Sequence, residues 1–553
     1  MKKNYIILCL ISCLFSQGQQ FNLIIDGISA KDKETIDSIT YIKKHKNVAS
    51  IINQIKKFDS ILNKAGFLES ILKDQKKTND SSFNYTYNIG NKTTKTRIIT
   101  NNLTAEKKTI LAINTDTLTI PFEETEKWIL NKLQTLEKKG YSLAKLKLTN
   151  QEKKKNTLYS NLDIQLNSQR KTDALILLGY DKFPKNIKHQ LEQKIKNRVF
   201  NQNFVSKIYN DLNSLTFITQ LKYPEILFTE NKTNIFAYIN KSKPNKFDGY
   251  IGFSNDKNQK LVFNGYLDLL LINIFNSGEK FKIFWKNDGN QQTLFNLNTE
   301  QPYIFKTPLG IKSELNIFKQ DSTFQNTQIS LNLGYYFSFN QKTYIGFQNT
   351  TSVDIQNTNN QNLTNFKNQF YTITHEYKKN NNTNYLFPDK TNLQITIGAG
   401  TRNSNLKKNN QFFSKLELSH LITLNNKNNI LLKNQTFYLN SKNYLTNELY
   451  RFGGINSIRG FRENSLQTNL LTSLITEYRY IITPNLSIHS ILDYAYYEDK
   501  TTESKNKLLG LGIGFELLTN NGLLHFVYSN GSTEKQNIKL SNSIIQISFK
   551  TKF

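Results

Sequence analysis

Beyond residue 13 this chain of 553 residues has no cysteine, and it carries one methionine, two tryptophans and eight prolines in all. Cys9 and Cys13 both sit in the opening segment, so the remainder has no disulfide framework and no thiolate metal site. Long apolar runs are missing too. Past the opening segment nothing approaches the run of about 18 apolar residues that a membrane helix needs, and the mean hydropathy is -0.53. Helical membrane spans are thereby excluded. A transmembrane β-barrel is not, because its strands alternate lipid-facing and lumen-facing side chains and average out as hydrophilic. There is no phosphate-binding loop of the GxxxxGK type, and His45, His189, His375, His420, His489 and His525 are scattered without metal-ligand spacing. Lacking a nucleophile and base in recognisable arrangement, the chain is expected to be no enzyme and to need no cofactor and no metal.

What is present begins with MKKNYIILCLISCLFSQGQQ, where two lysines precede an apolar run from Tyr5 to Phe15. The run is too short for a bilayer span and reads as a secretory signal peptide, residues 1–18, cut after Gly18. Leu10-Ile11-Ser12-Cys13 also fits a lipoprotein cleavage box, which would lipidate Cys13. The formal charge is +29. Lys and Arg outnumber Asp and Glu by 38 to 22 over residues 21–243 and by 32 to 21 over 244–553, so the excess is spread along the chain. Export argues against nucleic acid as the partner; the even spread reads as composition bias or as attraction to anionic lipid.

Periodicity divides the chain in two. Up to Lys243 short strands alternate with helices. FNLIIDGI (Phe21–Ile28) reads as a strand, and Asn47–Ala65 places Ile51, Ile55, Phe58 and Leu62 at helical spacing. Gly66 stops that helix and a strand is predicted at Phe67–Leu72. The order recurs as a helix over Phe122–Lys139, a stop at Gly140 and a strand at Tyr141–Leu148. It recurs again as a strand Ala174–Leu178, helices between Asn186 and Thr216, and strands Pro224–Phe228 and Ile235–Ile239. A strand-helix-helix-strand-strand unit of about 70 residues in three copies predicts an array of small α+β modules, over 19–101, 102–171 and 172–245.

From Phe247 the helix signals vanish, and Asn, Gly, Lys and Asp turns separate alternating segments of about ten residues. In the closing NSIIQISFKTKF, Ile545, Ile547, Phe549 and Phe553 share one face with Thr551, while Gln546, Ser548, Lys550 and Lys552 share the other. A chain ending on Phe553 after such a pattern, with 28 tyrosines and 37 phenylalanines available for interfacial girdles, predicts an antiparallel outer-membrane barrel over 246–553. At about 19 residues per strand and connection the span holds about 16 strands. In LGLGIGFEL the glycines Gly510, Gly512 and Gly514 interrupt one face only, leaving room in the lumen for something to approach.

One loop-like stretch stands out: RFGGINSIRGF, Arg451–Phe461. Together with KPNKFDGYIGFS (Lys243–Ser254), it resembles the superfamily of outer-membrane assembly and translocation proteins that includes BamA, TamA, the two-partner-secretion transporters and the bacterial surface antigens. The resemblance covers nearly the whole mature chain and implies periplasmic polypeptide-transport-associated (POTRA) modules before a 16-stranded barrel. It further implies that the loop folds back into the barrel and carries its Arg-Gly-aromatic tip, here Arg459-Gly460-Phe461, to acidic partners on later strands. Strand alternation places Glu477 with Ser473, Ile475 and Arg479, and Asp493 with Ile491 and Ala495. An ionised carboxylate is too costly on the lipid face, so both should face the lumen. There a guanidinium can grip a carboxylate as a two-pronged fork, with Gly453, Gly454 and Gly460 permitting tight turns and Phe461 packing beside it. The competing expectation pairs Glu477 and Asp493 with Arg479 or nearby lysines.

The resemblance implies a factor that receives unfolded outer-membrane or secreted polypeptides on its periplasmic modules and inserts them through its barrel, resembling the three-module TamA type. Phe67–Leu72, Tyr141–Leu148 and Pro224–Phe228 are the expected receiving edges. Outer-membrane lipids and a periplasmic accessory protein are the other expected partners. Two alternatives stand beside it. One is a secretion pore exporting a dedicated polypeptide, against which the direct passage from the signal segment into the strand at Phe21 leaves no room for a plug helix. The other is a passive porin or adhesin, which accounts for the barrel and not for the modules.

Overall fold

The computed structural model describes residues 20–255, 261–287, 292–356, 362–381, 384, 386–404, 407–536 and 538–552. The predicted signal peptide, the Cys13 lipidation site and the terminal Phe553 lie outside them. The chain falls into two compact units, one reaching to Lys171 and including Val199–Asn203, the other made of Thr172–Arg198 and everything from Phe204 onward.

The first unit holds two modules. In the first, β1 (Phe21–Gly27) leads to helix α1 (Ala30–Asp37), the short β2 (Lys44–His45), helix α2 (Val48–Lys64), β3 (Ile71–Asn79) and β4 (Ser82–Asn88), with sheet order β2-β1-β4-β3. Ile51, Ile55, Phe58 and Leu62 of α2 bury themselves against Leu23, Ile25, Tyr85 and Tyr87 of the sheet. In the second, β5 (Lys95–Ile99), α3 (Ala105–Leu111), β6 (Thr117–Pro121), α4 (Thr125–Lys138), β7 (Lys145–Lys154) and β8 (Thr157–Gln165) repeat the plan, with order β6-β5-β8-β7.

The two helix stops are the same motif. After α2, Gly66 lies at φ +97° and its N–H donates to Asn63 O, while the Phe67 N–H donates to Leu62 O. After α4, Gly140 at φ +89° donates to Glu137 O and Tyr141 to Leu136 O. This paired 6→1 and 5→2 closure is commonly sealed by an apolar residue just past the glycine. It therefore claims Phe67 and Tyr141, which sequence periodicity had assigned to the following strands. Each strand starts four residues later than expected, at Ile71 and Lys145, and outlasts the predicted Leu72 and Leu148. A second correction concerns the border between these modules. β5 pairs in parallel with β8, so Lys95–Ile99 belong to the second sheet and the second module begins before Asn102.

The second unit holds the third module and the barrel. Here β9 (Ala174–Leu178), α5 (Lys185–Ile195), α6 (Gln202–Asn213), β10 (Ile218–Gln220), β11 (Glu225–Phe228) and β12 (Thr233–Lys241) form a sheet in which β12 is flanked by β9 on one side and β11 and β10 on the other. The module meets the turns at the near end of the barrel. Tyr180 Oη donates to Asn276 Oδ1 at 2.9 Å, Gln190 Nε2 to Lys306 O at 2.6 Å, and the Phe217 ring packs edge-on against Phe339.

The barrel is closed and antiparallel with 16 strands. Its first half comprises β13 (Lys246–Asn255), β14 (Leu261–Ile272), β15 (Lys280–Asn287), β16 (Gln292–Gln301), β17 (Leu309–Gln320), β18 (Phe324–Ser338), β19 (Gln341–Asp354) and β20 (Phe366–Asn380). The second half adds β21 (Asp389–Ser404), β22 (Lys408–Thr423), β23 (Asn428–Asn440), β26 (Leu470–Thr483), β27 (Leu486–Asp499), β28 (Ser504–Leu518), β29 (Gly522–Thr533) and β30 (Ile544–Lys552). A two-stranded hairpin, β24 (Tyr450–Phe452) and β25 (Leu466–Thr468), interrupts the succession between β23 and β26 and stands apart from the wall. Alternation sorts the two faces as the sequence pattern requires. On β18, Ile329, Leu331, Leu333, Tyr335 and Phe337 are exposed on the outside, while Ser330, Asn332 and Tyr336 are buried within. On β30, Ile545, Ile547 and Phe549 form the outer stripe.

Closure is uneven around the ring. β13 pairs with β14 over ten residues, from Lys246↔Leu270 to Asn255↔Leu261. Between β13 and β30, among the described residues, only Lys246↔Lys552 and Phe247↔Thr551 pair.

Candidate functional site

The segment between β23 and β26 enters the barrel from the end opposite the third module and packs an apolar core inside the lumen. Phe452 and Ile458 of the loop are buried against Leu471 and Ile475 of β26, Ala495 of β27 and Leu508 of β28, and Phe461 packs alongside. Gly453, Gly454 and Gly460 have φ of +105°, +99° and +84°.

At the tip lies Arg459, 3 % exposed, beside Glu477 on β26 at 4 % and Asp493 on β27 at 0 %. Arg459 Nε donates to Asp493 Oδ2 at 2.8 Å and Nη2 to Asp493 Oδ1 at 2.5 Å, which is the two-pronged fork. The Arg459 backbone N–H donates to the same Oδ2 at 3.0 Å, and Nη1 donates to Glu477 Oε1. The second oxygen of Glu477 accepts from Arg479 Nε at 2.7 Å, and that guanidinium lies over the Phe387 ring with its carbon 4.6 Å from the centroid. Glu477 thus meets both arginines, one on each carboxylate oxygen, while Asp493 is bound by Arg459.

The tip lies against β28 and β29 at a distance that only glycine allows. A Cβ on Gly510 would fall 2.4 Å from Arg459 O, and one on Gly460 would fall 2.3 Å from the backbone of Asn530 and Gly531. Gly531, which sequence reading passed over, completes the contact: its own Cβ would meet Gly460 O at 2.6 Å and the Phe461 ring at 2.7 Å. Of the three lumen-facing glycines singled out in LGLGIGFEL, only Gly510 makes room for the loop. Gly512 is confined by the backbone of β29 and Gly514 by the His489 ring. The scattered histidines include one pair the fold brings together, His489 and His525, with ring centroids 5.7 Å apart. Among the described residues no group of three or more His, Cys, Asp or Glu could hold a metal ion.

Further contacts tie the loop elsewhere. Glu463 pairs with Lys286 of β15, and Asn464 O accepts from Gln292 Nε2 of β16 at 3.3 Å. Before the hairpin, Glu448 pairs with Arg402 of β21 and accepts from Gln411 Nε2 of β22 at 2.9 Å.

No curated protein matches this sequence. Among solved structures, CdiB from Acinetobacter baumannii superposes with a TM-score of 0.52 at 12 % identity over 90 % of this chain and 97 % of its own, and CdiB from Escherichia coli does so with 0.52 at 12 % over 91 % and 98 %. BamA from Haemophilus ducreyi lacking POTRA domains 1–3 matches with a TM-score of 0.46 at 18 % identity over 82 % of this chain and 99 % of that one. The model of the Omp85 superfamily domain matches residues 273–553, which takes in all of the lumenal site, and the chain belongs to the Omp85 superfamily of outer-membrane proteins that insert or translocate polypeptides.

Proposed function

We propose that this protein is an insertion factor: its modules receive unfolded polypeptide from the periplasm and its barrel, seated in the outer membrane, passes client strands into the bilayer. The observation that carries the reading is the seam. Among the described residues β13 and β30 share two backbone pairs where neighbouring strands share up to 15, so most of both edges can take up an incoming strand. A client hairpin added there forms its hydrogen bonds on a template before it meets lipid, where each unpaired group costs several kcal/mol.

The modules supply the earlier step. β3, β7 and β11 are edge strands of their sheets. β3 is exposed along nearly its whole length and carries Lys73, Lys76 and Lys77; β7 carries Lys145, Lys147, Lys153 and Lys154. Lysines on an edge discourage self-pairing, while leaving the backbone open to a client whose own sequence matters little.

A second reading, a pore exporting one dedicated polypeptide, is favoured by the near-complete coverage of the CdiB chains. Depletion separates the two. Broad loss of other barrel proteins from the outer membrane is the result expected for insertion. Loss of a single exported protein would assign the pore, and unchanged membrane and secreted proteomes would refute both.

A further inference from the structure

We propose that Glu448 is a second anchor of the lumenal loop, a positioning residue that holds the loop's entering limb to β21 and β22 independently of Arg459. The proposal rests on the reading of this barrel as a polypeptide-handling channel, in which the loop occupies the path.

The Arg402 and Glu448 side chains are 2 % and 1 % exposed, as withdrawn from water as the pair at the tip. Glu448 Oε1 accepts from Arg402 Nη1 and from the Leu445 N–H at 2.9 Å, and Oε2 accepts from Gln411 Nε2 at 2.9 Å. The neighbouring Asn447 extends the attachment: its Nδ2 donates to Ser352 Oγ at 2.7 Å and to Thr364 O at 2.9 Å, and its carbonyl accepts from Asn326 Nδ2 at 2.6 Å. The entering limb is therefore fixed to β18, β19, β21 and β22, on a different arc of the wall from the tip. The two anchors also have opposite polarity. At the tip the loop brings the cation and the wall the carboxylates; at Glu448 the loop brings the carboxylate and the wall the guanidinium. Neither anchor can borrow the other's partners, and removing one half of either buried pair leaves an uncompensated charge.

Between the anchors the loop separates two cavities. One, of about 530 Å³, is bounded by Glu448, Tyr450 and Arg451 with Asn326, Asn368 and Lys415. The other, of about 750 Å³, is bounded by Gly460, Phe461 and Glu463 with Lys286 and by Ile544 and Gln546 of the seam strand β30. Release of Arg459 alone loosens the tip beside the seam, where the Glu463–Lys286 pair still ties the returning limb. The first cavity stays covered while Glu448 holds.

Planar-bilayer conductance of the full chain tests this, using Arg459→Ala, Glu448→Ala and the double variant. Each protein is first checked for barrel folding by its heat-modifiable migration, and Glu448→Gln replaces Glu448→Ala if the latter does not fold. Either single substitution is expected to leave the lumen largely closed. The double variant should conduct several-fold more than either. The proposal is overturned if Arg459→Ala alone conducts as much as the double variant, or if adding the Glu448 substitution changes nothing. Conductance needs no client, so a negative result here leaves the polypeptide-handling reading standing, and a negative depletion result leaves this one standing.

Discussion

Arg459 illustrates how much a single side chain can hold when its charge is fully withdrawn from water. Three of its donors, Nε, Nη2 and the backbone N–H, go to one carboxylate, Asp493, and a fourth goes to Glu477. A lysine keeps the charge and loses the fork. We therefore expect Arg459→Lys to be nearly as damaging as Arg459→Ala. Arg459→Ala should cost about 3–5 kcal/mol of loop attachment, because Asp493 is left buried without its cation while Glu477 keeps Arg479, and the lysine variant should approach that cost because it leaves the bidentate acceptor half-satisfied. Hydrogen exchange across residues 453–465 in the full chain should accelerate by roughly two orders of magnitude or more in both variants; protection retained by the lysine variant would contradict the fork. Gly510→Val should reproduce the Arg459→Ala pattern of exchange, since its Cβ would enter the space of Arg459 O. Gly514→Ala should not, because it meets His489 instead of the loop. The tip was legible because RFGGINSIRGF resembles a loop of a known superfamily, which implies acidic partners for its arginine on later strands; alternation then put Glu477 and Asp493 on the one face a carboxylate can afford. The Arg402–Glu448 pair was not. Forty-six residues separate its members, and nothing in alternation says where an irregular loop will touch a wall.

Among the elements, the modules taught most by where prediction slipped. Helical spacing placed α2 and α4 well, and Gly66 and Gly140 marked their ends. The strands that follow were expected too early because an apolar residue after a glycine stop looks the same whether it opens a strand or seals a helix. Phe67 and Tyr141 seal helices. Gly66→Ala should accordingly destabilise the first module by about 1–2 kcal/mol for the left-handed backbone alone. Its Cβ would also fall 2.4 Å from Thr93 O. The expected result is faster exchange in α2 and β1 with β28 unchanged, and equal exchange in both proteins would remove the motif from the account. The strands β4 and β5 were missed in the sequence: KTRII is only five residues long, whereas FNYTYN alternates aromatic and polar residues between the turn residues Asn79–Ser81 and Gly90 and carries a strand signal that was overlooked.

For the whole molecule, the insertion reading turns on how readily the ring opens. Phe247 and Thr551 lie directly opposite each other at the seam, within the spacing a disulfide can bridge. With no other cysteine beyond residue 13, Phe247→Cys with Thr551→Cys should form a single covalent clasp under oxidation. If the seam is where clients leave, oxidation abolishes insertion and reductant restores it. If clients instead run through the lumen, the oxidised protein keeps its activity, and the insertion reading fails.

The four residues 242–245 that join β12 to β13 give this seam a mechanical setting. β12 is the innermost strand of the third module's sheet, and β13 is one lip of the seam. On the insertion reading, a client that takes hold of that sheet would exert traction on one of the two barrel strands that meet at the seam, while Tyr180, Gln190 and Phe217 brace the module against turns of the barrel. Pulling at the receiving end would thereby be converted into prising at the gap. Lengthening residues 242–245 with a flexible insert should leave both halves folded and slacken that transmission, so that clients still bind the module while their passage slows.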